Sequence, residues 1–289
     1  MLDPDRRGQL EAALGECTDG ARVARVEPVG GGCISRTLRV GMSDGTQVFL
    51  KLAEGHDPAL LAAEAASLAA LRATSTVRVP AAIAQGADWL ALEWLEPGAA
   101  SDAAWESLGT ALAALHRHQG RWGGLADNFI GTLPQCNEAT SSWAEFWAMR
   151  RLEPQLRRAS AQLTPSDRNR FAALLAALPE LLAAGEMEGA SLLHGDLWSG
   201  NVHMLAAGGA ALVDPATACG HREVDLAMAA LFGGFAPAFR EAYETAWPLE
   251  RDWQRRRAIY QLYYLLVHVN LFGAAYLART RSVLSAAGF

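Results

Sequence analysis

The stretch LLHGDLWSGNVHMLAAGGAALVD, residues 192–214, contains two aspartates and an asparagine between short apolar runs. Asp196 precedes Asn201 by five positions, and Asp214 follows Asn201 after thirteen. Carboxylate and amide oxygens are hard ligands of the kind that Mg²⁺ prefers, and a carboxylate also accepts a proton from an alcohol. The stretch therefore predicts a phosphoryl-transfer site. The simpler alternative is that these polar residues only form turns.

The spacing fits the catalytic loop of protein kinases. There, a catalytic aspartate is followed five positions later by a metal-binding asparagine and, after a short hairpin, by a metal-binding aspartate. On this template, Asp196 is the predicted catalytic base, and Asn201 and Asp214 are the predicted Mg²⁺ ligands. His194, two positions before Asp196, is expected to hold the shape of the loop. Features upstream of the loop must decide between this interpretation and simple turns.

Composition and charge indicate a folded, enzyme-sized protein. Of the 289 residues, 51% are hydrophobic, which argues against disorder. The formal net charge of −6 argues against a nucleic-acid or anionic-membrane partner. The N-terminus shows no secretory signal, and the cysteines at 17, 33, 136 and 219 form no C-x-x-C pair. We therefore predict a cytoplasmic protein with reduced cysteines.

The N-terminal third predicts a small antiparallel sheet. Alternating apolar residues indicate strands at about 23–29, 34–40 and 46–52. Gly30, Gly31 and Gly32 lie between the first two strands. Glycines allow backbone N–H groups to approach phosphate oxygens without interference from a Cβ atom. The glycine loop is therefore a candidate for binding nucleotide phosphates, although a tight turn would use the same residues.

Lys51 lies inside the apolar third strand, where an ammonium group is costly unless it is paired. In kinases, the lysine of this strand contacts the α- and β-phosphates and pairs with a glutamate of the next helix. The segment 59–73 is strongly helical and contains Glu64. We therefore predict a Lys51–Glu64 pair, the alternative being a glutamate that faces solvent.

Two further strands, at about 82–85 and 89–94, are followed by Pro97 and Gly98, which mark a boundary. By its order in the chain, the stretch Glu93, Trp94 and Leu95 corresponds to the kinase hinge, whose backbone binds adenine. The predicted lobes are an N-terminal nucleotide-binding lobe at 1–96 and a catalytic, substrate-binding lobe at 97–289.

The second lobe is predicted to be mostly helical. Helices are indicated at about 101–118, 141–160, 166–184, 222–231, 236–246 and 252–279. The predicted fold class is therefore α+β, with a small β lobe that carries one main helix and a larger helical lobe.

Several residues near the loop have two interpretations. Asp225, in an apolar helix start, is expected to accept backbone N–H groups of the 194–201 loop and brace it. Trp198 suits either packing of a sugar face or packing of the loop itself, and His221 suits either a substrate rim or a salt-bridge cluster. The aromatic run from Tyr260 to Tyr276 forms one helical face, which indicates core or a substrate-pocket wall.

The assembled residues resemble the fructosamine kinase (ketosamine-3-kinase) family of protein-kinase-like small-molecule phosphotransferases. The matching segments are GGGCIS at 30–35, FLK at 49–51, VRVP at 77–80, IGTLPQCN at 130–137, LLHGDLWSGNV at 192–202, VDPATACGHREVDLAMAALFGGF at 213–235 and YQLYYLLVHVNLFGAAY at 260–276. They follow in order along nearly the whole chain. The resemblance implies a bilobal protein-kinase-like fold.

The resemblance also implies an activity, namely ATP- and Mg²⁺-dependent phosphorylation of the sugar 3-hydroxyl of ketosamines. Ketosamines are glycated amines, either small molecules or protein lysines, and the unstable 3-phosphate leads to deglycation. The alternatives are a related kinase of another small hydroxyl compound and a nucleotide-binding pseudokinase. An intact set of Lys51, Glu64, Asp196, Asn201 and Asp214 argues against the pseudokinase.

Cys33 directly follows the glycine loop, which is unusual for a phosphate-binding turn. A thiol near backbone N–H groups and Lys51 has reason for a lowered pKa and for sensitivity to oxidation. The hypothesis is redox control of nucleotide binding, and the plain alternative is a small residue that starts a strand.

Overall fold

The computed structural model describes residues 3–15, 20–30 and 35–289. Its N-terminal part contains helix α1 (Pro4–Gly15), strands β1 (Val23–Pro28), β2 (Arg36–Met42) and β3 (Gln47–Leu52), helix α2 (Ala59–Ala73), and strands β4 (Ala82–Gln85) and β5 (Trp89–Glu93). The strands form one antiparallel sheet in the order β1-β2-β3-β5-β4. Gly31, Gly32 and Cys33 lie outside the described residues.

The sheet buries one face against α1. In β2 and β3, Val40 faces Val48 across the ladder, and both are fully buried. Leu10 and Leu14 of α1, which lie four positions apart on one helical face, pack into the same cluster. Each such leucine contributes about 2 kcal/mol when it leaves water, so α1 holds the sheet together from outside.

The C-terminal part is built mainly of helices: α3 (Asp102–His116), α4 (Trp143–Phe146), α5 (Glu153–Arg158), α6 (Pro165–Leu181), α7 (Ala183–Glu188), α8 (Glu223–Phe232), α9 (Pro237–Ala246), α10 (Trp253–Phe272) and α11 (Leu277–Ala286). A π-helical segment, Trp147–Leu152, joins α4 to α5 and makes one continuous helical stretch. The N-terminal β lobe with one main helix and the larger helical lobe confirm the predicted α+β architecture.

Three short antiparallel strand pairs interrupt the helical lobe, and of these the sequence had indicated only the hairpin between Asn201 and Asp214. They pair β6 (Asn128–Ile130) with β7 (Leu133–Gln135), β8 (Ser191–Leu193) with β11 (Ala218–Gly220), and β9 (Val202–Met204) with β10 (Ala210–Leu212). Segments of three residues are too short to show an alternating pattern, so only their pairing partners define them as strands. The β8–β11 and β9–β10 pairs shape the stretch 191–220.

The predicted helix 252–279 is wrong in its length. The structure ends α10 at Phe272, and a short 3₁₀ turn separates it from α11. Gly273 adopts a φ of +85°, which a helix interior does not allow. The chain therefore turns at this glycine, and the aromatic face changes direction there.

A single apolar cluster joins the two lobes. It contains Leu61 and Leu68 of α2, Leu90 of β5 and Leu112 of α3, together with Leu192, which precedes the 194–201 loop. Because the same core supports α2 and the loop, their relative positions are fixed by packing. Among the residues that the structure describes, no helix has the length and apolar character needed to span a bilayer.

Candidate active site

Lys51 of β3 lies at the bottom of the cleft between the lobes. Its side chain is flanked along the strand by the buried Leu50 and Leu52, and only 7% of the residue is exposed. The ammonium nitrogen Nζ donates to Oε1 of Glu64 at 2.7 Å and also to the carboxylate of Asp214. The predicted pair of Lys51 and Glu64 is therefore formed, and Asp214 also contacts Lys51.

The three charges shift one another's pKa values. Burial lowers the pKa of Lys51, but the charges of Glu64 and Asp214 outweigh burial and hold it above its usual value. Burial raises the pKa of Glu64 to about 7, although Lys51 acts against the rise. Burial also raises the pKa of Asp214, but Lys51 outweighs it and keeps the net shift downward. The ammonium and the Asp214 carboxylate are thus both charged at neutral pH.

Asp196 and Asn201 face each other across the loop that follows β8. The amide nitrogen Nδ2 of Asn201 donates to the main-chain oxygen of Asp196 at 2.9 Å and to its carboxylate oxygen Oδ2 at 3.1 Å. Because Nδ2 makes both bonds, neither of them uses the amide oxygen of Asn201. Burial, and then the charge of Asp214, raise the pKa of Asp196 to about 7.

Asp214 adopts a left-handed backbone conformation, with a φ of +53°. Aspartate tolerates this region better than most residues because its short side chain bonds locally. The preceding Val213 donates its N–H to the main-chain oxygen of Asn201 at 3.0 Å. The turn therefore brings Asp214 beside Asn201 and aims its carboxylate at the cleft.

A buried carboxylate holds the start of the loop. Asp225 of α8 accepts the backbone N–H groups of His194 at 2.7 Å and of Gly195 at 2.9 Å. The His194 ring donates from Nε2 to the oxygen of Val213 at 3.0 Å, and its Nδ1 accepts the N–H of Asp196 at 3.3 Å. Burial lowers the pKa of His194, which agrees with a neutral ring in these roles.

The sequence analysis missed two supports of this loop. The Tyr264 hydroxyl donates to the oxygen of Gly195 at 2.7 Å, from the aromatic face of α10. His116, at the end of α3, approaches the Asp225 carboxylate with Nε2 at 3.1 Å and the Tyr243 hydroxyl with Nδ1 at 2.8 Å. A histidine in an apolar helix end was the visible signal, but its partners lie 109 and 127 positions away.

The cleft is an open cavity of about 160 Å³. Its walls combine both lobes: Ser35, Thr37, Lys51, Leu60, Leu61, Ala63, Glu64, Asn128, Phe129, Gly131, Asp196, Trp198, Asn201, Asp214, Pro215 and Ala216. The predicted base, the predicted metal ligands and the lysine–glutamate pair therefore share one cavity.

A second, larger cavity of about 550 Å³ adjoins the first, and Asp196 and Trp198 line both. Its wall is largely aromatic, with Phe232, Tyr264, His268, Phe272 and Tyr276 among its members. The His268 ring lies 4.8 Å from Phe232, 5.4 Å from Phe272 and 4.9 Å from Tyr276, measured between ring centroids.

The aromatic run of α10 thus divides between two roles. Tyr260 and Tyr263 belong to the core, with 0% and 2% of each residue exposed, whereas Phe272 is 59% exposed and lines the second cavity. The core interpretation is confirmed for the first part of the run, and a substrate-pocket wall stays a prediction for the part that lines the second cavity. The division lies within α10, since Tyr264, His268 and Phe272 line that cavity before the helix ends.

The predicted hinge residues lie on the chain between the lobes, but among the described residues they do not line the lysine cavity. The Glu93 side chain pairs with Arg78 and accepts the N–H of Ala81 at 3.2 Å. The Trp94 indole donates to Glu96 at 2.8 Å, and the oxygen of Leu95 accepts from His203 at 2.9 Å. A backbone contact from Glu93, Trp94 or Leu95 to adenine stays a prediction.

His221 does not lie at a substrate rim. Only 1% of the residue is exposed, and its ring contacts the Tyr260 hydroxyl and the Glu188 carboxylate, each at 2.8 Å. The salt-bridge interpretation therefore describes its surroundings, because α7 and α10 cover the residue. Of the glycine loop, only Gly30 is described, and it is exposed.

Comparisons with known proteins identify the family of the chain. The model of the fructosamine kinase family matches residues 8–287. A "Probable ketoamine kinase" of Synechocystis sp. is 40% identical over 270 residues, which cover 91% of this chain and 90% of the relative. A chloroplastic "Protein-ribulosamine 3-kinase" of Oryza sativa subsp. japonica is 31% identical over 296 residues, covering 96% and 85%.

The solved structure of a "putative fructosamine-3-kinase" from Thermobifida fusca superimposes with a TM-score of 0.87 and 38% identity. The match covers 96% of this chain and 98% of the other. It confirms the predicted protein-kinase-like α+β fold, and the family match shows the predicted resemblance. The chain therefore belongs to the fructosamine kinase family and is an ATP-dependent phosphotransferase.

Proposed function

We propose that the protein transfers the γ-phosphoryl group of ATP to the sugar 3-hydroxyl of a ketosamine. The observation that carries the proposal is the position of Asp196, which lines both the lysine cavity and the aromatic cavity. A carboxylate at this junction reaches a phosphate on one side and an acceptor hydroxyl on the other. The names of the relatives, a ribulosamine 3-kinase and a fructosamine-3-kinase, support the 3-hydroxyl as the acceptor and a ketosamine as its carrier.

Asp196 is the proposed catalytic base. Its pKa of about 7 is close to neutral pH, where a general base is most effective. The hydrogen bond from Asn201 fixes the carboxylate, so the acceptor hydroxyl meets an oriented oxygen. The base thereby holds the hydroxyl in line and takes its proton as the new bond forms.

The donor set beside Asp196 fits Mg²⁺. The amide oxygen of Asn201 and the carboxylate of Asp214 supply two hard oxygen ligands, and nucleotide phosphates commonly supply others. When bound, the ion would neutralise phosphate charge. Among the described residues, no group of three or more histidine, cysteine, aspartate or glutamate side chains is arranged to hold a metal by itself.

Lys51 is the proposed partner of the triphosphate. Its ammonium is buried and already held by Glu64, so binding a phosphate requires little loss of side-chain freedom. The glycine loop of Gly30, Gly31 and Gly32 is proposed to cover the phosphates from above. Together these groups stabilise the charge that develops during transfer.

The aromatic cavity is the proposed acceptor site. Its volume of about 550 Å³ lies in the range of small-molecule sites, and aromatic faces suit the C–H surface of a sugar. Trp198 borders both cavities, so we propose that its indole contacts the sugar next to the reacting hydroxyl. A free glycated amine and a glycated protein lysine present the same sugar there. A 3-phosphate that sheds its sugar would make the reaction a deglycation, in a cytoplasmic location.

The test is incubation of the protein with ATP and Mg²⁺ and one of three acceptors: ribulosyl-lysine, fructosyl-lysine or an aminoglycoside. Mass spectrometry of the acceptor then reports the gain of one phosphoryl group. Transfer to either ketosamine supports the proposal. Transfer to the aminoglycoside alone would replace it with the second candidate, a kinase of another small hydroxyl compound.

The Asp196→Asn variant tests the assignment of the base. It keeps the shape of the side chain but removes the proton acceptor, so transfer should be abolished while nucleotide binding persists. Loss of both would mean that Asp196 also holds the nucleotide and that the base is misassigned. Exposed Asp102, in the first turn of α3, provides the control Asp102→Asn, which should leave both properties unchanged.

A further inference from the structure

A buried hydroxyl pair joins the helix of Glu64 to the segment that follows Asp214. The Thr217 hydroxyl donates to the Ser67 hydroxyl oxygen at 2.9 Å, across 150 positions of sequence. The two residues are 3% and 4% exposed, so water does not compete for the bond. We call these residues the Ser67–Thr217 pair.

The pair has the same spacing as the ionic contact beside it. Ser67 follows Glu64 by three positions on α2, which places both on one helical face. Thr217 follows Asp214 by three positions on the other segment. Two parallel contacts therefore hold α2 to residues 214–217, one through Lys51 and one through the hydroxyls.

Thr217 is itself held in place by the helical lobe. Its main-chain oxygen accepts from the Asn128 amide at 2.8 Å and from the Asn137 amide at 3.2 Å. The next residue, Ala218, begins β11, which pairs with β8 just before the 194–201 loop. A bond to Thr217 therefore ties α2 to the strand pair that positions Asp196.

The ionic contact alone cannot fix α2 during the reaction. Lys51 and Asp214 pair with each other in this structure, yet the proposed function assigns both to the nucleotide and its cation. The hydroxyls touch neither cavity, because Ser67 and Thr217 are absent from the lining of both. Their bond can persist while the charged groups change partners.

We propose that Ser67 and Thr217 are positioning residues that keep Glu64 beside Lys51 whether or not a nucleotide is bound. The lysine–glutamate pair is then assembled by packing and needs no separate activation step. This inference rests on the proposed roles of Lys51 and Glu64. It predicts that loss of the hydroxyl pair raises the KM for ATP and leaves the KM for the ketosamine unchanged.

The test replaces Thr217 by valine, which exchanges the hydroxyl for a methyl group of similar size. The KM for ATP should rise about tenfold, equivalent to about 1.4 kcal/mol, because α2 then leaves the position that holds Glu64 beside Lys51 and nucleotide binding must restore that position. The KM for the ketosamine should stay within about twofold. Hydrogen–deuterium exchange in peptides from 59–73 should increase in the nucleotide-free protein. Thr217→Ser, which keeps the donor, should behave as wild type.

Thr280→Val is the matched control. Thr280 is 1% exposed and donates to the main-chain oxygen of Tyr276 at 2.9 Å, in α11, which packs against α10 and α6. This variant should lower stability without changing the KM for ATP. If Thr217→Val does not fold, Ser67→Ala should reproduce the effect on ATP, and where both single variants fold their combination should add little to either.

Wild-type KM for ATP together with wild-type exchange in 59–73 for both Thr217→Val and Ser67→Ala would overturn the inference. A fall in melting temperature with unchanged ATP kinetics would also overturn it, because it would assign the pair a merely structural role. If the wild-type protein phosphorylates no ketosamine, the proposed acceptor is wrong. The exchange measurement still tests the hydroxyl pair in that case.

Discussion

The carboxylate of Asp225 accepts a 2.7 Å hydrogen bond from the backbone N–H of His194, across 31 positions of sequence. The same carboxylate also accepts from Gly195 and approaches the ring of His116. Burial raises the pKa of Asp225, but His116 and the loop outweigh it and keep the pKa below its usual value. A single buried charge thus fixes the backbone that leads to Asp196.

Replacing Asp225 by asparagine should impair both folding stability and catalysis. The amide has one acceptor in place of two and turns a donor toward groups that already donate. We expect a loss of about 3 kcal/mol in the free energy of unfolding, with kcat reduced more than tenfold. Urea unfolding and steady-state kinetics measure the two effects. A variant with unchanged kcat would mean that the loop keeps its shape without Asp225.

Gly195→Ala should be more damaging than its backbone strain explains. Gly195 has a φ of +86°, and an added Cβ would lie 1.9 Å from the main-chain oxygen of Ala216. Gly208 has a similar φ of +89° with no atom within 4 Å of an added Cβ, so Gly208→Ala isolates the strain, which costs about 1 kcal/mol. We expect Gly195→Ala to cost on the order of 3 kcal/mol in thermal or urea unfolding and to abolish transfer. Equal losses of stability in the two variants would show that the added Cβ of Gly195→Ala does not collide with Ala216.

The Glu188 network should make stability depend on acid pH. Burial raises the pKa of Glu188, but hydrogen bonds from His221 and Arg222 outweigh it and hold the pKa at about 2. Because the folded pKa lies below the unfolded value of 4.5, the stabilisation is present above pH 4.5 and is lost as the pH falls toward 2. Its size is about 3 kcal/mol.

Urea unfolding between pH 7 and pH 3 measures this dependence. Glu188→Gln should be less stable at pH 7 and should lose less stability on acidification than wild type. Exposed Glu180, on α6, gives the control Glu180→Gln, which should follow the wild-type curve. An unchanged slope in Glu188→Gln would show that other carboxylates cause the acid loss.

Phe272→Ala should separate the acceptor from the nucleotide. Phe272 lines only the aromatic cavity of the two and is 59% exposed. We expect the KM for a ketosamine to rise roughly threefold to tenfold, with the KM for ATP unchanged and stability within about 0.5 kcal/mol of wild type. Met187, which is 91% exposed and remote from both cavities, supplies the control Met187→Ala. A rise in the KM for ATP with an unchanged KM for the ketosamine would show that the acceptor site lies elsewhere.

The predicted pairing of Lys51 with Glu64 was confirmed. It could be predicted because the signal is local, since an unpaired ammonium in an apolar strand costs free energy. An ammonium in an apolar strand needs a carboxylate, and the next helix supplies one. The order Asp196, Asn201, Asp214 was informative because the structure brings all three side chains into one cavity with Lys51, and their roles in catalysis and metal binding stay predictions. Cys33 lies outside the described residues, so its proposed redox role stays a prediction.

The burial of His221 could not be predicted from the sequence. In sequence His221 is a polar residue near the motif, and only the packing of α7 and α10 around it decides that it is buried. The pairing of β8 with β11 and the division of the aromatic run between core and cavity have the same origin. Each depends on contacts with segments that lie elsewhere in the chain.

By itself, the sequence determined which charged and oxygen-bearing side chains the site contains and how they are spaced, because these are properties of the residues themselves. It also determined the order of a β lobe and a helical lobe, because hydrophobic periodicity is a local property. Only the tertiary structure decided that Asp196 joins two cavities and that Ser67 meets Thr217. Those contacts join segments that are far apart in the chain, and the packing of one core across both lobes sets them.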